Sequence, residues 1–186
     1  MINCFVTRII QRHIILKKNA CSHQGRYVPL ASARSMGFIV NAAEPGAEQA
    51  VKVLRKALTD HKIRYKGICL DLRKESPEEP ELHSGPEMLV IGRRNINWYG
   101  LPEEAVCSEF TKEPFDILID LTTGSDGLFT VDYILRKASA QFRIGTSGRQ
   151  TCIYDMTVSG NSGDNAPDRL AKSIINYLIS IHTDSK

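Results

Sequence analysis

Three short segments of this chain are apolar on both faces of an extended strand, and no other feature limits the fold so strongly. They are "MGFIVNA" (36–42), "MLVIG" (88–92) and "FDILIDL" (115–121). A strand of this kind must be covered on both sides, as in a parallel sheet with helices on each face. We therefore predict an α/β fold, a three-layer α/β/α sandwich. Its core should be a Rossmann-like, mostly parallel sheet of about five or six strands, in the order 3-2-1-4-5 with a sixth strand at the edge.

The other predicted elements alternate between strand and helix, as such a sheet requires. The charge-rich, proline-rich stretch that follows the second strand shows no apolar periodicity and should be a solvated loop. In chain order we predict helix 45–62, strand 63–72, loop 73–87, a short helix within 102–110, a helix from Leu128, strand 142–145, strand 152–158 and a helix capped by Asn165.

The length and charge of the chain limit its organisation and its partners. With 186 residues, 42% of them hydrophobic, it can bury one sizeable core. We predict a basic amphipathic helix and linker at 1–26 and a single α/β domain at 27–186. The net charge is +3, although residues 1–43 hold six Lys or Arg and no Asp or Glu. Because the net charge is small, no nucleic-acid partner is expected.

The positive charge at the start belongs to the predicted amphipathic helix. Apolar residues such as Ile2 and Val6 fall near one helical face, and Arg8 and Arg12 lie on the other side. Three roles are open: packing on its own domain, contact with a second copy or a protein partner, and attachment to an anionic membrane surface. Further isoleucines widen the apolar face and favour burial against protein. For a homodimer or protein-partner contact the candidate residues are Phe5, Ile9 and Leu16.

Several classes of protein and of site are disfavoured. Five cysteines lie at long spacings without a C-x-x-C pair, which argues against a disulfide framework or structural zinc and favours a reducing cytoplasm. Cys21 and His23 form one close pair, but no further metal ligands lie at a recognisable spacing. No transmembrane run of about 18 apolar residues is present, and the start is a poor secretory signal, although an organellar transit peptide shares its composition. We predict a cytoplasmic protein without metal or cofactor.

The segment "LTTGSDG" (121–127) follows a predicted strand at the edge where parallel sheets normally bind ligands. In one interpretation it leads into a helix N-terminus that receives a phosphate or carboxylate. In the other it is a plain turn, in which Ser125 or Asp126 caps the next helix and occupies the same donors. The candidate ligand-binding residues of this segment are Asp120, Thr122 and Ser125.

The segment "GRRNINWYG" (92–100) carries chemistry suited to the same edge. Its arginines offer fork-shaped donors to an anion, and its asparagines can bind hydroxyl groups. Trp98 and Tyr99 could stack on a sugar or base. Alternatively, these aromatic residues anchor a long connection onto the core while the arginines are solvated. The candidate residues are Arg93, Asn95 and Asn97. The patterns "GxxxxGK[ST]", "GxGxxG", "GxSxG" and "HExxH" are absent.

Two resemblances support the same fold. Residues 115–145, with "FDILIDL", a helix and "ASAQFRIG", are similar to the first half of bacterial heptosyltransferase-type glycosyltransferases. Over most of its length the chain also resembles an uncharacterised bacterial family of small α/β proteins. That pattern includes "SMGFIVNA", "NINWYG", "YDM" and a closing helix. The second resemblance implies a fold and no activity.

Two functions from different classes follow. The first is a soluble, non-catalytic binding or interaction protein with the topology of a glycosyltransferase half, since fold alone does not carry function. The alternative is a small enzyme or ligand-binding domain that acts on a phosphorylated or sugar-like molecule at the carboxyl ends of the strands. The first function implies a second copy or a protein partner bound through residues 1–20, and the alternative implies a small anionic ligand.

Overall fold

One parallel sheet organises the protein. The structure, a computed structural model, describes residues 4–17, 25–73, 82, 84–124, 127–147, 153–160 and 165–181. Within these residues the strands are β1 (Ser35–Asn41), β2 (Arg64–Asp71), β3 (Met88–Gly92), β4 (Pro114–Asp120), β5 (Ser139–Thr146) and β6 (Met156–Val158). Their order is β3-β2-β1-β4-β5-β6, and every neighbouring pair is parallel. The predicted order and direction of the strands are confirmed.

Helices cover both faces of this sheet. In the described part of the chain they are α1 (Cys4–Lys17), α2 (Ala47–Asp60), α3 (Glu104–Thr111), α4 (Leu128–Lys137) and α5 (Pro167–Ser180). Helices α2 and α5 contribute Leu54 and Ile174 to one core cluster, which also contains Phe38 of β1. Helices α3 and α4 contribute to a second cluster on the other face, with Ile39 of β1. The three-layer α/β/α prediction is therefore confirmed.

Strand β1 shows why this sequence requires two covered faces. All seven of its residues are buried. Phe38 and Ile39 are adjacent in sequence and belong to different core clusters, because successive side chains of a strand point to opposite faces. Each fully buried side chain of this size contributes about 1.5–3 kcal/mol relative to an exposed one.

Helix α1 lies against the domain with one face only. The Gln11 side chain donates a hydrogen bond from Nε2 to the carbonyl oxygen of Tyr99 at 2.7 Å, and Ile14 packs against the second core cluster. On the opposite side Val6 and Ile9 are 43% and 53% exposed. We refer to Val6 and Ile9 as the outer face of α1. The side chains of Phe5 and Leu16 lie outside the described part of the structure.

One predicted helix cap is wrong, and another lies outside the described residues. Helix α5 begins after Ala166, with Pro167 in its first turn, while the Asn165 side chain accepts a hydrogen bond from the backbone N–H of Gly160 at 2.9 Å. Helix α4 begins after Gly127, whose backbone is left-handed with φ of 75°, a conformation that glycine adopts without strain. The predicted cap residues of α4, Ser125 and Asp126, lie outside the described residues. Most of the predicted loop at 73–87 lies outside them too.

Candidate functional site

The carboxyl ends of the strands meet along one edge of the sheet, which we call the rim. Strands β1, β2, β3 and β4 end there with Asn41, Asp71, Gly92 and Asp120. The strand order reverses between β1 and β4. In open parallel sheets of this type, ligands bind outside the carboxyl ends of the strands near such a reversal. A ligand site is therefore expected at the rim.

Two adjoining cavities, which we call the rim cleft, open along the rim. Their volumes are about 560 Å³ and about 310 Å³, and both are lined by Leu72, Arg93, Ile96 and Gly127. The larger one extends to α1 and to the turn at 97–100. The smaller one extends to the end of β1 and to the segment after β2. Ligand pockets for small molecules usually measure about 300–1,000 Å³, so the cleft has a suitable size.

Arg93 is the cation that the rim cleft offers to an anion. It is exposed, lines both cavities and makes no hydrogen bond or ion pair with the residues that the structure describes. Arg73 lines the smaller cavity, but its Nε and Nη2 atoms each donate to the Asp71 carboxylate at 2.8 Å. These hydrogen bonds raise the pKa of Arg73, and Asp71 compensates its charge. Arg94 is exposed and lines neither cavity.

The first turn of α4 forms another part of the wall of the larger cavity. Gly127, Leu128 and Phe129 line it. No side chain of the described residues caps this helix at Gly127. The N-terminus of a helix carries a partial positive charge of about +0.5, which adds to the charge of Arg93. Arg93 and this helix terminus are therefore two groups of the described residues that favour an anion in the cleft.

The two candidate asparagines shape the connection after β3. The Asn95 side-chain oxygen accepts a hydrogen bond from the backbone N–H of Gly92 at 3.0 Å. The Asn97 side-chain oxygen accepts from the backbone N–H groups of Tyr99 and Leu101 at 3.2 and 2.9 Å. Asn97 also lines the larger cavity, whereas Asn95 lines neither. Of the two, Asn97 is the one whose side-chain amide can meet a ligand.

Asp120 and Thr122 lie in a buried cluster and line neither cavity. One oxygen of Asp120 accepts hydrogen bonds from the backbone N–H and the hydroxyl of Thr122, at 2.9 and 2.7 Å. The hydroxyl of Tyr154 donates to the other oxygen. These contacts satisfy a carboxyl group that is completely shielded from solvent. The structure thus brings Arg93 and Asn97 into one cleft and leaves Asp120 and Thr122 beside it, while Ser125 lies outside the described residues.

Sequence reasoning gave no role to Glu44, which lies at the strand reversal. Its carboxylate accepts hydrogen bonds from the backbone N–H groups of Thr123 and Gly124, at 2.9 and 3.0 Å, and from the Thr123 hydroxyl. These donors follow β4 and are of the kind that bind phosphate in other proteins. The protein's own carboxylate therefore occupies them. The only sequence signal was an acidic residue in the turn after β1.

The described residues offer few groups for covalent or metal chemistry. Cys69 and Cys107 are buried, and burial raises the pKa of the Cys69 thiol to about 12, so neither serves as a nucleophile. Across the described part of the chain, no three His, Cys, Asp or Glu residues are grouped so that they could hold a metal ion. None of the helices within the described ranges has the length and apolar character needed to span a membrane.

The strand order, the two covered faces and the cleft on the rim define a Rossmann-like α/β protein. The model of a family of unknown function, DUF6913, matches residues 5–181, and the chain belongs to this family. Among solved structures, E. coli heptosyltransferase WaaC with ADP is similar, with a TM-score of 0.52 and 10% sequence identity. The likeness covers 82% of this chain and 49% of that chain, so the protein spans about half of the enzyme's length. At this identity it shows the fold alone. No curated protein matches significantly.

Proposed function

We propose that the protein binds a small anionic molecule, phosphorylated or sugar-like, in the rim cleft without transforming it. The observation that carries this proposal is Arg93, which lines both cavities and has no partner among the described residues. An arginine that lines a cavity beside the first turn of a helix presents fork-shaped donors next to the partial positive charge of the helix terminus. Phosphate and carboxylate groups are the ligands that such an arrangement favours.

Binding without reaction is favoured over catalysis by the groups that surround the cleft. Proton transfer in enzymes is performed most often by a positioned imidazole or carboxylate, and also by Lys, Tyr or Cys side chains. Among the described residues that line the two cavities, Tyr99 is the one side chain of these types, and no imidazole, carboxylate or thiol stands beside it there. Of the carboxylates near the rim, Asp71 is paired with Arg73, Glu44 binds the backbone after β4, and Asp120 is buried.

The proposal is tested by calorimetric titration and thermal shift with inorganic phosphate, ribose 5-phosphate and nucleoside monophosphates. Arg93→Ala should weaken binding by about 10- to 150-fold, because a hydrogen bond to a charged group contributes about 1.5–3 kcal/mol. Arg94→Ala is the matched control and should leave binding unchanged, since Arg94 lines neither cavity. Equal losses in both variants would contradict the assignment of Arg93. Turnover of a bound ligand would favour the enzyme alternative.

We also propose that the outer face of α1 is a contact surface for another protein. Val6 and Ile9 are exposed although Gln11 ties the helix to the domain, so these apolar side chains remain uncovered. Exposed Arg8 and Arg12 on the same helix would repel their counterparts in a second copy and favour an acidic partner.

This second proposal can be tested in cells with a photo-crosslinking residue at position 9. The matched control places the same residue at Lys56, which is exposed on α2. An adduct with another protein is expected at position 9 only. An adduct of twice the chain's mass would show a second copy instead, and no adduct at position 9 would contradict the proposal.

A further inference from the structure

One wall of the larger cavity is aromatic. Trp98, Tyr99 and Phe129 line the same cavity as Arg93. Trp98 is 54% exposed, and its ring meets that of Tyr99 edge to face, with centroids 5.0 Å apart. The sequence left open whether Trp98 packs into the core. Because more than half of its surface is exposed, Trp98 does not pack into the core. Its exposed side chain lines the larger cavity.

The turn that carries Trp98 is held from several sides. Asn97 binds the backbone N–H groups of Tyr99 and Leu101, and its own backbone N–H donates to the Leu101 carbonyl at 2.9 Å. Gly100 has a left-handed backbone with φ of 89°, and its carbonyl accepts from the Thr130 hydroxyl at 2.7 Å. The turn is therefore fixed without any contribution from the indole ring. An exposed aromatic ring on a fixed backbone gives a ligand a stacking surface, and the backbone of the turn loses little conformational entropy on binding.

Resting on the proposed function, we infer that the ligand of the rim cleft is an anion that also carries a flat heteroaromatic ring. The ring stacks on Trp98, and the anionic group binds Arg93. All nucleobases can stack on aromatic side chains, because every base has a π face. The aromatic and apolar side chains of Trp98, Leu128 and Phe129 suit the flat face of a base, while the polar residues Thr7 and Gln11 on the α1 side of the cavity can bind its attached sugar. Nucleoside monophosphates are the simplest members of this class.

Trp98 provides the readout, because it is the one tryptophan of the sequence. Titration with AMP and UMP should change the Trp98 fluorescence, once the absorbance of the nucleotide has been corrected for with free N-acetyltryptophanamide. Both nucleotides should also raise the melting temperature. Ribose 5-phosphate should bind more weakly and leave the fluorescence unchanged. By calorimetry, Trp98→Ala should weaken AMP binding by about 5- to 150-fold, the loss of one base–aromatic stack, and leave ribose 5-phosphate unaffected. Trp98→Tyr should restore most of the AMP affinity.

The outcomes separate this inference from the proposal on which it rests. As a control, Tyr177→Ala removes an equally exposed aromatic side chain from α5 and should change neither ligand's affinity. If AMP and ribose 5-phosphate bind equally and Trp98→Ala affects neither, the ring inference is overturned and anion binding at Arg93 stands. If AMP changes the fluorescence but Arg93→Ala has no effect, the ring inference keeps its support and the anion site is wrong. If none of the probes binds, both are overturned.

Discussion

Replacing Glu44 with alanine removes the acceptor that joins the turn after β1 to the backbone after β4. Three donors lose their partner: the N–H groups of Thr123 and Gly124 and the Thr123 hydroxyl. A hydrogen bond to a charged group contributes about 1.5–3 kcal/mol, but water can reach the exposed Thr123, so the total loss should be only about 1–2 kcal/mol. For a chain of this size, that change lowers the melting temperature by about 2–8 °C.

The freed donors give this prediction a second, sharper readout. In Glu44→Ala, inorganic phosphate can occupy the position of the carboxylate and should recover much of the lost melting temperature in scanning calorimetry. The measurement is best made in an Arg93→Ala background, so that phosphate in the rim cleft does not contribute. Asp60→Ala removes a carboxylate from the exposed end of α2 and serves as the charge control. The reasoning is refuted if Glu44→Ala melts at the same temperature as the unmodified protein. It is also refuted if phosphate raises the melting temperatures of Glu44→Ala and Asp60→Ala equally.

Three further predictions concern the core and pH dependence. Phe38→Ala, at a fully buried position, should lower the free energy of unfolding by about 3–5 kcal/mol in urea denaturation, and a loss below 1 kcal/mol would contradict the packing. Tyr154→Phe should cost about 1–3 kcal/mol in the same assay, because it removes a hydrogen-bond donor from buried Asp120; an unchanged midpoint would argue against that bond. The pKa of Cys69 is raised from 9.0 to about 12 in the folded protein, so its contribution to stability is complete below pH 9 and lost as pH rises towards 12. Cys69→Ala should therefore flatten the decline in melting temperature above pH 9, although the raised pKa values of Tyr27 and Tyr65 act in the same direction. An identical pH profile would contradict the assignment to Cys69.

The sheet could be predicted because burial on both faces constrains every residue of a strand. In β1 the neighbours Phe38 and Ile39 serve different core clusters, and a strand open to water on one side would carry a polar residue at one of these positions. The position of Arg93 on the rim followed from the same reasoning, because parallel strands place all their carboxyl ends on one edge. These inferences need only local sequence and chain direction.

Contacts between distant side chains could not be predicted in this way. Glu44 and Thr123 are 79 residues apart, and their hydrogen bonds depend on the exact geometry of two turns. Asp120 was placed among the ligand-binding candidates because it ends a strand, but Tyr154, 34 residues later, provides the hydroxyl that makes its burial possible. The exposure of Trp98 likewise depends on the backbone of the turn at 97–100, which residue type alone does not determine.

The position of α1 has a thermodynamic consequence for the rim cleft. Thr7 and Gln11 of this helix line the larger cavity, and Gln11 also binds the Tyr99 carbonyl in the turn that carries Trp98. An occupant of that cavity that touches α1 would strengthen the attachment of the helix to the domain. By linkage, a protein that pulls α1 away from the domain must weaken the binding of that occupant by the factor by which the occupant opposes the displacement of α1. The helix can therefore couple ligand binding in the larger cavity to protein binding on its outer face without any change in the sheet.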